Sequence, residues 1–167
     1  MRIYLIGFMG CGKSSFGKRL ARKLEYPFLD LDQAVEVSSG LTVPEIFSKQ
    51  GEISFRQMEK EELQRTVELP EGVIATGGGT PCFYDNMDFM NAAGKTVYLK
   101  MSPLSLAHRL EYARRERPMV SGRKGDELLQ LIKTKLQERE TFYLQAHCII
   151  KGETVKPDQV ISLVFGQ

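Results

Sequence analysis

A glycine-rich loop near the start of the chain has the residues needed to bind phosphate. Residues 7–15 are GFMGCGKSS and match the pattern G-x-x-x-x-G-K-[ST] in full, at Gly7, Gly12, Lys13 and Ser14. A strand-like run precedes the loop and an amphipathic helical pattern follows it, which is the setting that such a loop requires. The alternative is a glycine turn that opens an ordinary helix. Because every fixed position is present, we expect a phosphate-binding P-loop.

The residue types in this P-loop indicate what each would do. The glycines, Gly10 among them, permit positive φ, so that successive N–H groups at a helix N-terminus can approach an anion. Lys13 would contact the β- and γ-phosphates of a nucleotide, and the Ser14 hydroxyl would bind Mg²⁺. Cys11 lies within the loop, either as a small residue or as a thiol made reactive by the helix N-terminus.

Two aspartates lie at the end of the second predicted strand, residues 27–31. Asp30 and Asp32 are separated by Leu31, and the strand period of two would place both carboxylates on one face. Mg²⁺ and a substrate hydroxyl are the groups that could separate these charges. Asp30 suits the metal, and Asp32 suits the hydroxyl as its orienting group or base. The alternative is that one of the two merely caps the next helix, and Asp32 is the more natural candidate for such a cap.

Two arginines could bind an anion. Arg56 lies in a helical stretch, residues 52–69, where Glu59 at i+3 could form an ordinary surface ion pair with it. Arg139 lies on the apolar face of the helix predicted over residues 126–145. An arginine on a buried face requires an anion, either a carboxylate elsewhere in the fold or a substrate group, unless it extends to the surface.

The third predicted strand, residues 72–76, runs into a glycine triplet, Gly77, Gly78 and Gly79. Three glycines at this end of a strand indicate that the backbone approaches a ligand closely, with a plain tight turn as the alternative. The strand ends without the aspartate that many P-loop proteins use for their metal, so Asp30 could serve in its place.

Residues 112–125 are charged, contain proline and glycine, and show no apolar period. This pattern predicts a mobile loop of the length that is typical of lids. A lid arginine near a P-loop could close on the phosphates and stabilise charge during phosphoryl transfer, and Arg117, followed by Pro118, is our candidate. A solvated charged loop or a contact to RNA is the alternative.

Strand-like runs alternate with helical patterns along the whole chain. Strands are predicted at residues 2–6, 27–31, 72–76, 95–100 and 147–151. Thr42, Ser102 and Lys156 indicate helix starts. The alternation predicts an α/β fold with a mainly parallel sheet, helices on both faces and ligands beyond the carboxyl ends of the strands.

Composition narrows the class of protein. A length of 167 residues, with 42% hydrophobic and 26% charged residues, predicts a single globular domain. A net charge of +2 does not suggest a nucleic-acid binder, and no apolar run is long enough for a membrane helix. Three widely spaced cysteines, and a strand at the very N-terminus that leaves no room for a signal peptide, predict a cytoplasmic setting.

Taken together, the motifs resemble the bacterial shikimate kinases over nearly the whole chain. The resemblance rests on GFMGCGKS with Ser15, FLDLD ending in Asp32, Phe55-Arg56 followed by Glu59, ATGGG, Arg117-Pro118, and Arg139 with Tyr143. It implies Mg²⁺-dependent transfer of the ATP γ-phosphate to the 3-hydroxyl of shikimate, within aromatic amino-acid biosynthesis. It also implies a P-loop three-layer αβα fold whose five-stranded parallel sheet has the order 2-3-1-4-5.

The same resemblance implies an organisation of the chain. It would be one domain over residues 1–167, with a substrate-binding region at about 32–62 and a lid at about 112–125. It would act as a monomer on ATP and shikimate, without nucleic acid or membrane.

The resemblance further implies a role for each matching residue. The catalytic residues would be Lys13, Asp32 and Arg117. The nucleotide would be bound by Gly10, Cys11, Gly12, Lys13, Ser14, Ser15, Arg109 and Arg117, with Arg109 and the loop before Pro157 beside adenine. Shikimate would be bound by Asp32, Arg56, Gly77, Gly78, Gly79 and Arg139. Mg²⁺ would be held by Ser14 and Asp30.

Other functions compete with this interpretation. A gluconate kinase would share the loop, the lid and the need to bind a carboxylate, and a nucleotide kinase would need arginines for a second set of phosphates. A guanine-specific nucleotide switch should carry an Asn-Lys-x-Asp segment, which the sequence lacks. A kinase that has lost activity is disfavoured, because Lys13, Ser14, Asp30 and Asp32 are all present.

Overall fold

A five-stranded parallel sheet forms the centre of the molecule. The computed structural model describes residues 1–113 and 118–166. The strands are β1 (Arg2–Ile6), β2 (Phe28–Asp30), β3 (Gly72–Ala75), β4 (Lys95–Lys100) and β5 (Cys148–Lys151). Every neighbouring pair is parallel and the order across the sheet is β2-β3-β1-β4-β5, which confirms the predicted topology.

Helices flank the sheet and connect its strands. In chain order they are α1 (Lys13–Leu24), α2 (Leu31–Ser39), α3 (Val43–Gln50), α4 (Glu52–Arg65), α5 (Asn86–Ala93), α6 (Pro103–Glu111), α7 (Gly125–Tyr143) and α8 (Pro157–Phe165). Short 3₁₀ helices lie at Thr66–Glu68, Thr80–Cys82 and Pro118–Val120.

The helix starts predicted from the sequence are confirmed. Thr42 precedes α3 and its hydroxyl accepts the N–H of Glu45 at 3.3 Å. Ser102 precedes α6 and accepts the N–H of Ser105 at 3.1 Å. Lys156 precedes α8. These contacts satisfy N–H groups that the first turn of a helix leaves without a partner, which is why such residues mark helix starts.

Strand β2 is shorter than predicted. It ends at Asp30, whose carboxylate caps α2 by accepting the N–H of Gln33 at 3.2 Å. Asp32 therefore lies in the first turn of α2. The expectations that a continued strand would align both carboxylates, and that Asp32 would be the more natural cap, were wrong. A capping aspartate directs the chain into a helix immediately, and the strand period then no longer applies.

Two apolar clusters support the fold. The main core contains residues 3–6 of β1, all fully buried between the sheet and its helices. A second cluster joins Val35 of α2, Ile46 of α3 and Phe55 of α4. Helices α2–α4 thus pack on one another beside the sheet. In the part of the chain that the structure describes, no helix is both long and apolar enough to cross a membrane.

The segment predicted as a lid is partly described. Helix α6 ends at Glu111, and the 3₁₀ helix Pro118–Val120 precedes α7. Val120 is buried against the main core, so this portion of the segment contacts the folded body of the protein. Residues 114–117 lie outside the described part, and the lid stays a prediction.

Candidate active site

The P-loop folds around its own lysine. Lys13 Nζ donates hydrogen bonds to the carbonyl oxygens of Gly7 at 2.7 Å and of Phe8 at 3.0 Å, and the side chain is buried. Gly7, Gly10 and Gly12 have φ values of 146°, 81° and 92°, as their residue type predicted. Gly12 immediately precedes α1, so the loop leads into a helix N-terminus that favours an anion.

Ser14 and Asp30 form a pair of oxygen ligands beside this loop. Ser14 Oγ donates a hydrogen bond to Asp30 Oδ2 at 2.5 Å. Mg²⁺ is commonly held by one or two protein oxygens together with phosphate oxygens and water, so the pair fits this metal. Among the described residues no group of three or more acidic, histidine or cysteine side chains could hold a metal ion. A bound Mg²⁺ would thus depend on this pair and on the nucleotide.

A first cavity of about 390 Å³, here called the P-loop cavity, contains most of the predicted nucleotide residues. Its walls are Gly10, Gly12, Lys13, Ser14, Ser15, Asp30, Asp32, Thr76, Gly77, Gly78, Arg109 and Ala113. Cys11 is buried in the main core instead, as expected of a small packing residue. Arg117 lies outside the described residues. The P-loop cavity has the size and the donors for nucleotide phosphates.

A second cavity of about 390 Å³, here called the arginine cavity, lies next to the first. Its walls are Met9, Asp32, Val43, Phe47, Glu52, Phe55, Arg56, Glu59, Gly77, Gly78, Gly79, Met119, Lys135 and Arg139. The structure therefore brings together every residue that the sequence suggested for the acceptor substrate. Helix α3 and the apolar side of α4 close the cavity away from the sheet.

Arg56 is held by charge on its own helix. Its Nη1 donates to Glu59 Oε1 at 3.0 Å, and its Nη2 lies 3.3 Å from Glu52 Oε1. The Arg56 side chain is 8% exposed and that of Glu59 1%, so the pair is buried, and the surface-pair alternative was wrong. Burial raises the pKa of Glu59, and the Arg56 charge and a hydrogen bond from Thr80 Oγ1 at 2.8 Å oppose that rise.

Arg139 extends from α7 into the same cavity. Within the described residues its buried Nη1 has no hydrogen-bond partner, while its Nη2 approaches the Met119 sulfur at 3.8 Å. The guanidinium Cζ lies 5.7 Å from the centroid of the Phe8 ring. A buried guanidinium nitrogen without a partner is costly, and a carboxylate in the cavity would satisfy it.

The glycine triplet leaves room for these charged side chains. A Cβ at Gly79 would lie 2.5 Å from Arg56 Nη2, and a Cβ at Gly78 would lie 3.4 Å from Arg139 Nη1. A Cβ at Gly77 would lie 3.1 Å from Asp32 Oδ1. Tyr143 Oη donates to the carbonyl oxygen of Gly78 at 2.5 Å and fixes the turn against α7. Within the protein the backbone of the triplet lies close to the side chains of the site, and its approach to a ligand stays a prediction.

Asp32 lies on the wall that both cavities share. It lines the P-loop cavity and the arginine cavity, as do Gly77 and Gly78. Asp32 lies in the first turn of α2, whereas Asp30, at the end of β2, bonds Ser14 directly. A hydroxyl bound beside Asp32 would face the phosphate side of the site.

Sequence reasoning missed two side chains that shape the arginine cavity. Thr80 bonds Glu59, and the Phe83 ring lies 4.2 Å from Arg56 Cζ. Both residues follow the glycine triplet, in a segment whose sequence contains no recognisable motif. Their contacts are made across more than twenty positions of the chain, so no local pattern could have revealed them.

A P-loop at the carboxyl edge of a 2-3-1-4-5 sheet, with a second cavity lined by two arginines beside it, defines a small-molecule phosphotransferase of the P-loop kinase class. The family model described as shikimate kinase matches residues 9–166. The chain belongs to the shikimate kinase family, and it is an ATP-dependent kinase.

Individual relatives agree with this assignment. A shikimate kinase of Bacteroides thetaiotaomicron is 46% identical over 156 residues, covering 93% of this chain and 89% of the relative. A crystal structure of the shikimate kinase from that organism superposes with a TM-score of 0.92 at 41% identity, covering 100% of this chain and 99% of the other. The Acinetobacter baumannii shikimate kinase in complex with shikimate has a TM-score of 0.87 at 31% identity, with 99% and 93% covered.

Proposed function

We propose that this protein transfers the γ-phosphoryl group of ATP to the 3-hydroxyl of shikimate and forms shikimate 3-phosphate and ADP. The observation that carries the proposal is the wall common to the P-loop cavity and the arginine cavity, formed by Asp32, Gly77 and Gly78. A nucleotide in one cavity and an alcohol in the other would meet there. Shikimate suits the second cavity because it is a small polyol with a single carboxylate.

The carboxylate of shikimate binds between Arg56 and Arg139 in this proposal. Among the residues that the structure describes, the buried Nη1 of Arg139 has no hydrogen-bond partner, and this supports the assignment. Two guanidinium groups from different helices bind a carboxylate in a fixed orientation, and orientation is what places the 3-hydroxyl rather than another hydroxyl at the phosphate. The triplet Gly77, Gly78 and Gly79 lets the substrate approach the backbone.

Asp32 accepts a hydrogen bond from the 3-hydroxyl, aligns its oxygen with the γ-phosphorus, and is positioned to take its proton as the new O–P bond forms. The bond from the γ-phosphorus to the ADP oxygen breaks in the same transfer. Because phosphoryl transfer passes through a loose transition state, little nucleophile activation is required. Asp32 would therefore be either a base or an orienting group, two roles that mutation can separate.

The P-loop residues bind the phosphates, and Lys13 neutralises charge on them. Ser14 and Asp30 would hold Mg²⁺, which would supply positive charge that neutralises the phosphates. Arg117 closes from the lid onto the phosphates; its support is the Arg117-Pro118 step in the sequence. Arg109, in the wall of the P-loop cavity, lies beside adenine together with the loop before Pro157.

The enzyme acts as a monomer in the cytoplasm in this proposal. Cys11, Cys82 and Cys148 are free thiols, which suits a reducing compartment. Burial raises the pKa of the Cys82 thiol to about 11, so this cysteine is a poor nucleophile at neutral pH. Gel filtration with light scattering would test the monomer.

The deciding experiment is ADP release from Mg-ATP with and without shikimate, with gluconate and nucleoside monophosphates run alongside. Stimulation by shikimate alone is expected, with shikimate 3-phosphate identified by ³¹P NMR. Lys13→Ala protein, purified identically, excludes a contaminating kinase. Stimulation by a different acceptor would support a kinase whose substrate is not shikimate. No stimulation by any acceptor, in protein that binds ATP, would favour a nucleotide-binding switch.

A further inference from the structure

The Phe83 ring lies against the guanidinium of Arg56. The distance from Arg56 Cζ to the ring centroid is 4.2 Å, against 5.1 Å for the neighbouring Phe55 ring. Phe83 is half-buried and lies outside the walls of both cavities as the described residues form them. Its contact with Arg56 is therefore a route by which Phe83 can act on the acceptor.

The turn that carries Phe83 is anchored at several points. Thr80 and Asn86 are fully or nearly fully buried. Thr80 Oγ1 donates to Glu59 Oε2 at 2.8 Å, and Asn86 Nδ2 donates to the Thr80 carbonyl at 2.9 Å. The N–H of Asn86 donates to the Phe83 carbonyl at 3.2 Å. This bonding ties Phe83 to the same α4 carboxylate that pairs with Arg56.

Arg56 retains hydrogen-bonding capacity in this arrangement. A guanidinium has five N–H groups. The hydrogen bonds of Arg56 to Glu52 and Glu59 use Nε once, Nη1 once and Nη2 once. These contacts leave one N–H on each terminal nitrogen, and a carboxylate can accept hydrogen bonds from two N–H groups of one guanidinium.

An arginine gains affinity for a planar anion when its own plane is fixed beforehand. A mobile arginine loses side-chain entropy on binding, whereas a guanidinium stacked on an aromatic face is already oriented. We propose that Phe83 is a positioning residue for carboxylate recognition, which holds the Arg56 guanidinium in the plane that binds the acceptor carboxylate. This inference rests on the proposed function, in which the arginine cavity takes shikimate.

The test compares Phe83→Leu, Phe83→Tyr and wild-type protein in steady-state kinetics. Leucine keeps apolar bulk but removes the ring, and tyrosine keeps the ring. We expect Phe83→Leu to raise the KM for shikimate roughly three- to tenfold, the size of a partly desolvated cation–π contact. We expect kcat and the KM for ATP to change less than about twofold, and Phe83→Tyr to restore the KM. Phe83→Met replaces Phe83→Leu if the latter does not fold.

A neutral acceptor separates recognition of the carboxylate from general packing. The methyl ester of shikimate keeps the ring and hydroxyls but lacks the anion. Its kcat/KM should be the same in wild-type and Phe83→Leu protein. Tyr84→Leu is the matched control, because Tyr84 is the next residue and its ring lies 4.9 Å from Lys60 Nζ, outside both cavity walls. That variant should behave as wild type.

The outcomes separate the positioning role of Phe83 from the proposed function. An unchanged KM in Phe83→Leu, or equal losses for the acid and the ester, would overturn the positioning role while leaving shikimate as the substrate. Failure of shikimate to stimulate the wild-type enzyme would instead overturn the proposed function. Thermal unfolding of each variant separates a misfolded protein from a changed site.

Discussion

At the scale of single residues, Asp32 occupies a position that the two cavities share. It lines both cavities, whereas Asp30 is engaged with Ser14 and with the N-terminus of α2. The two carboxylates are only two positions apart. Because α2 starts between them, each carboxylate contacts different groups. Metal support and hydroxyl alignment can therefore be assigned to separate residues.

Asp32→Asn tests whether this carboxylate is a base. Asparagine retains an oxygen that can accept the hydroxyl hydrogen bond but cannot take the proton. A base role predicts that kcat falls by about 10²-fold or more while the KM for shikimate changes little. Steady-state kinetics measure both, with Asp88→Asn, an exposed carboxylate on α5, as control. Turnover near the wild-type value with intact shikimate binding would rule the base role out.

Arg139→Ala and Arg139→Lys test the second carboxylate contact. Losing hydrogen bonds to a charged group should raise the KM for shikimate by roughly 10- to 150-fold in Arg139→Ala. Arg139→Lys should recover part of this loss, because lysine keeps the charge but lacks the planar fork. The KM for ATP is the internal reference, and Arg22→Ala on the exposed face of α1 is the matched control. An equal rise in the KM for shikimate and the KM for ATP would indicate general damage to the fold.

At the scale of elements, the site is assembled from parts that lie far apart in the chain. Helix α4 provides Arg56, α7 provides Arg139, and the turn after β3 passes between them with its glycines. Tyr143 bonds that turn to α7, and burial raises the pKa of its hydroxyl, so the group stays protonated and can donate. The packing of α7 on the β3 turn thus determines the shape of the arginine cavity.

The edge strand β5 is attached by a titratable group. His147 Nδ1 accepts the N–H of Thr96, at the start of β4, at 3.2 Å. Burial, with the nearby Lys95 charge as the second cause, lowers the pKa of His147. The folded protein therefore binds fewer protons here than the unfolded chain. Its contribution to stability is present above the unfolded pKa of about 6.5 and is lost as the pH falls through the lower folded pKa.

His147→Asn should flatten this part of the pH dependence. The asparagine oxygen can accept the same N–H but does not titrate. We expect the wild type to lose more stability than the variant between pH 7.5 and pH 5, measured as the free energy of unfolding in urea. His108→Asn, on α6, is the matched control, since the chain has two histidines. Parallel pH profiles for wild type and His147→Asn would contradict the assignment.

At the scale of the whole molecule, helices α2–α4 and the central sheet differ in how many buried apolar side chains support them. The α2–α4 cluster has three fully buried apolar members, Val35, Ile46 and Phe55, while the main core surrounds every strand. Regions with few buried contacts open at lower free energy than the global unfolding. Helices α2–α4 should therefore be the more easily opened part of the fold.

Hydrogen exchange followed by mass spectrometry tests this difference. Peptides from α2 and α3 should exchange faster than those from β1. Shikimate should slow exchange in α2–α4, because its carboxylate would link Arg56 on α4 to Arg139 on α7. ADP should instead protect the P-loop and α1. Equal exchange in both regions, or uniform protection by either ligand, would show that the two cavities do not respond separately.

The sequence by itself determined those features that depend on neighbouring residues. The P-loop is a contiguous motif, and Thr42, Ser102 and Lys156 mark helix starts through contacts made within one turn. The five strands were predictable to within a residue or two because buried parallel strands are short apolar runs. The resemblance to shikimate kinases rested on such motifs in their order, and family membership confirmed it.

Only the tertiary structure decided how charged side chains share the site. The spacing of Arg56 and Glu59 permits a surface pair or a buried one, and burial depends on the turn after β3 packing over α4. Asp32 is helical because Asp30 ends β2 and caps α2. The strand period of two could not predict this, because it assumes that the strand continues. Phe83 and Thr80 meet α4 across more than twenty positions. Such contacts follow from the close packing of distant segments, which local periodicity does not encode.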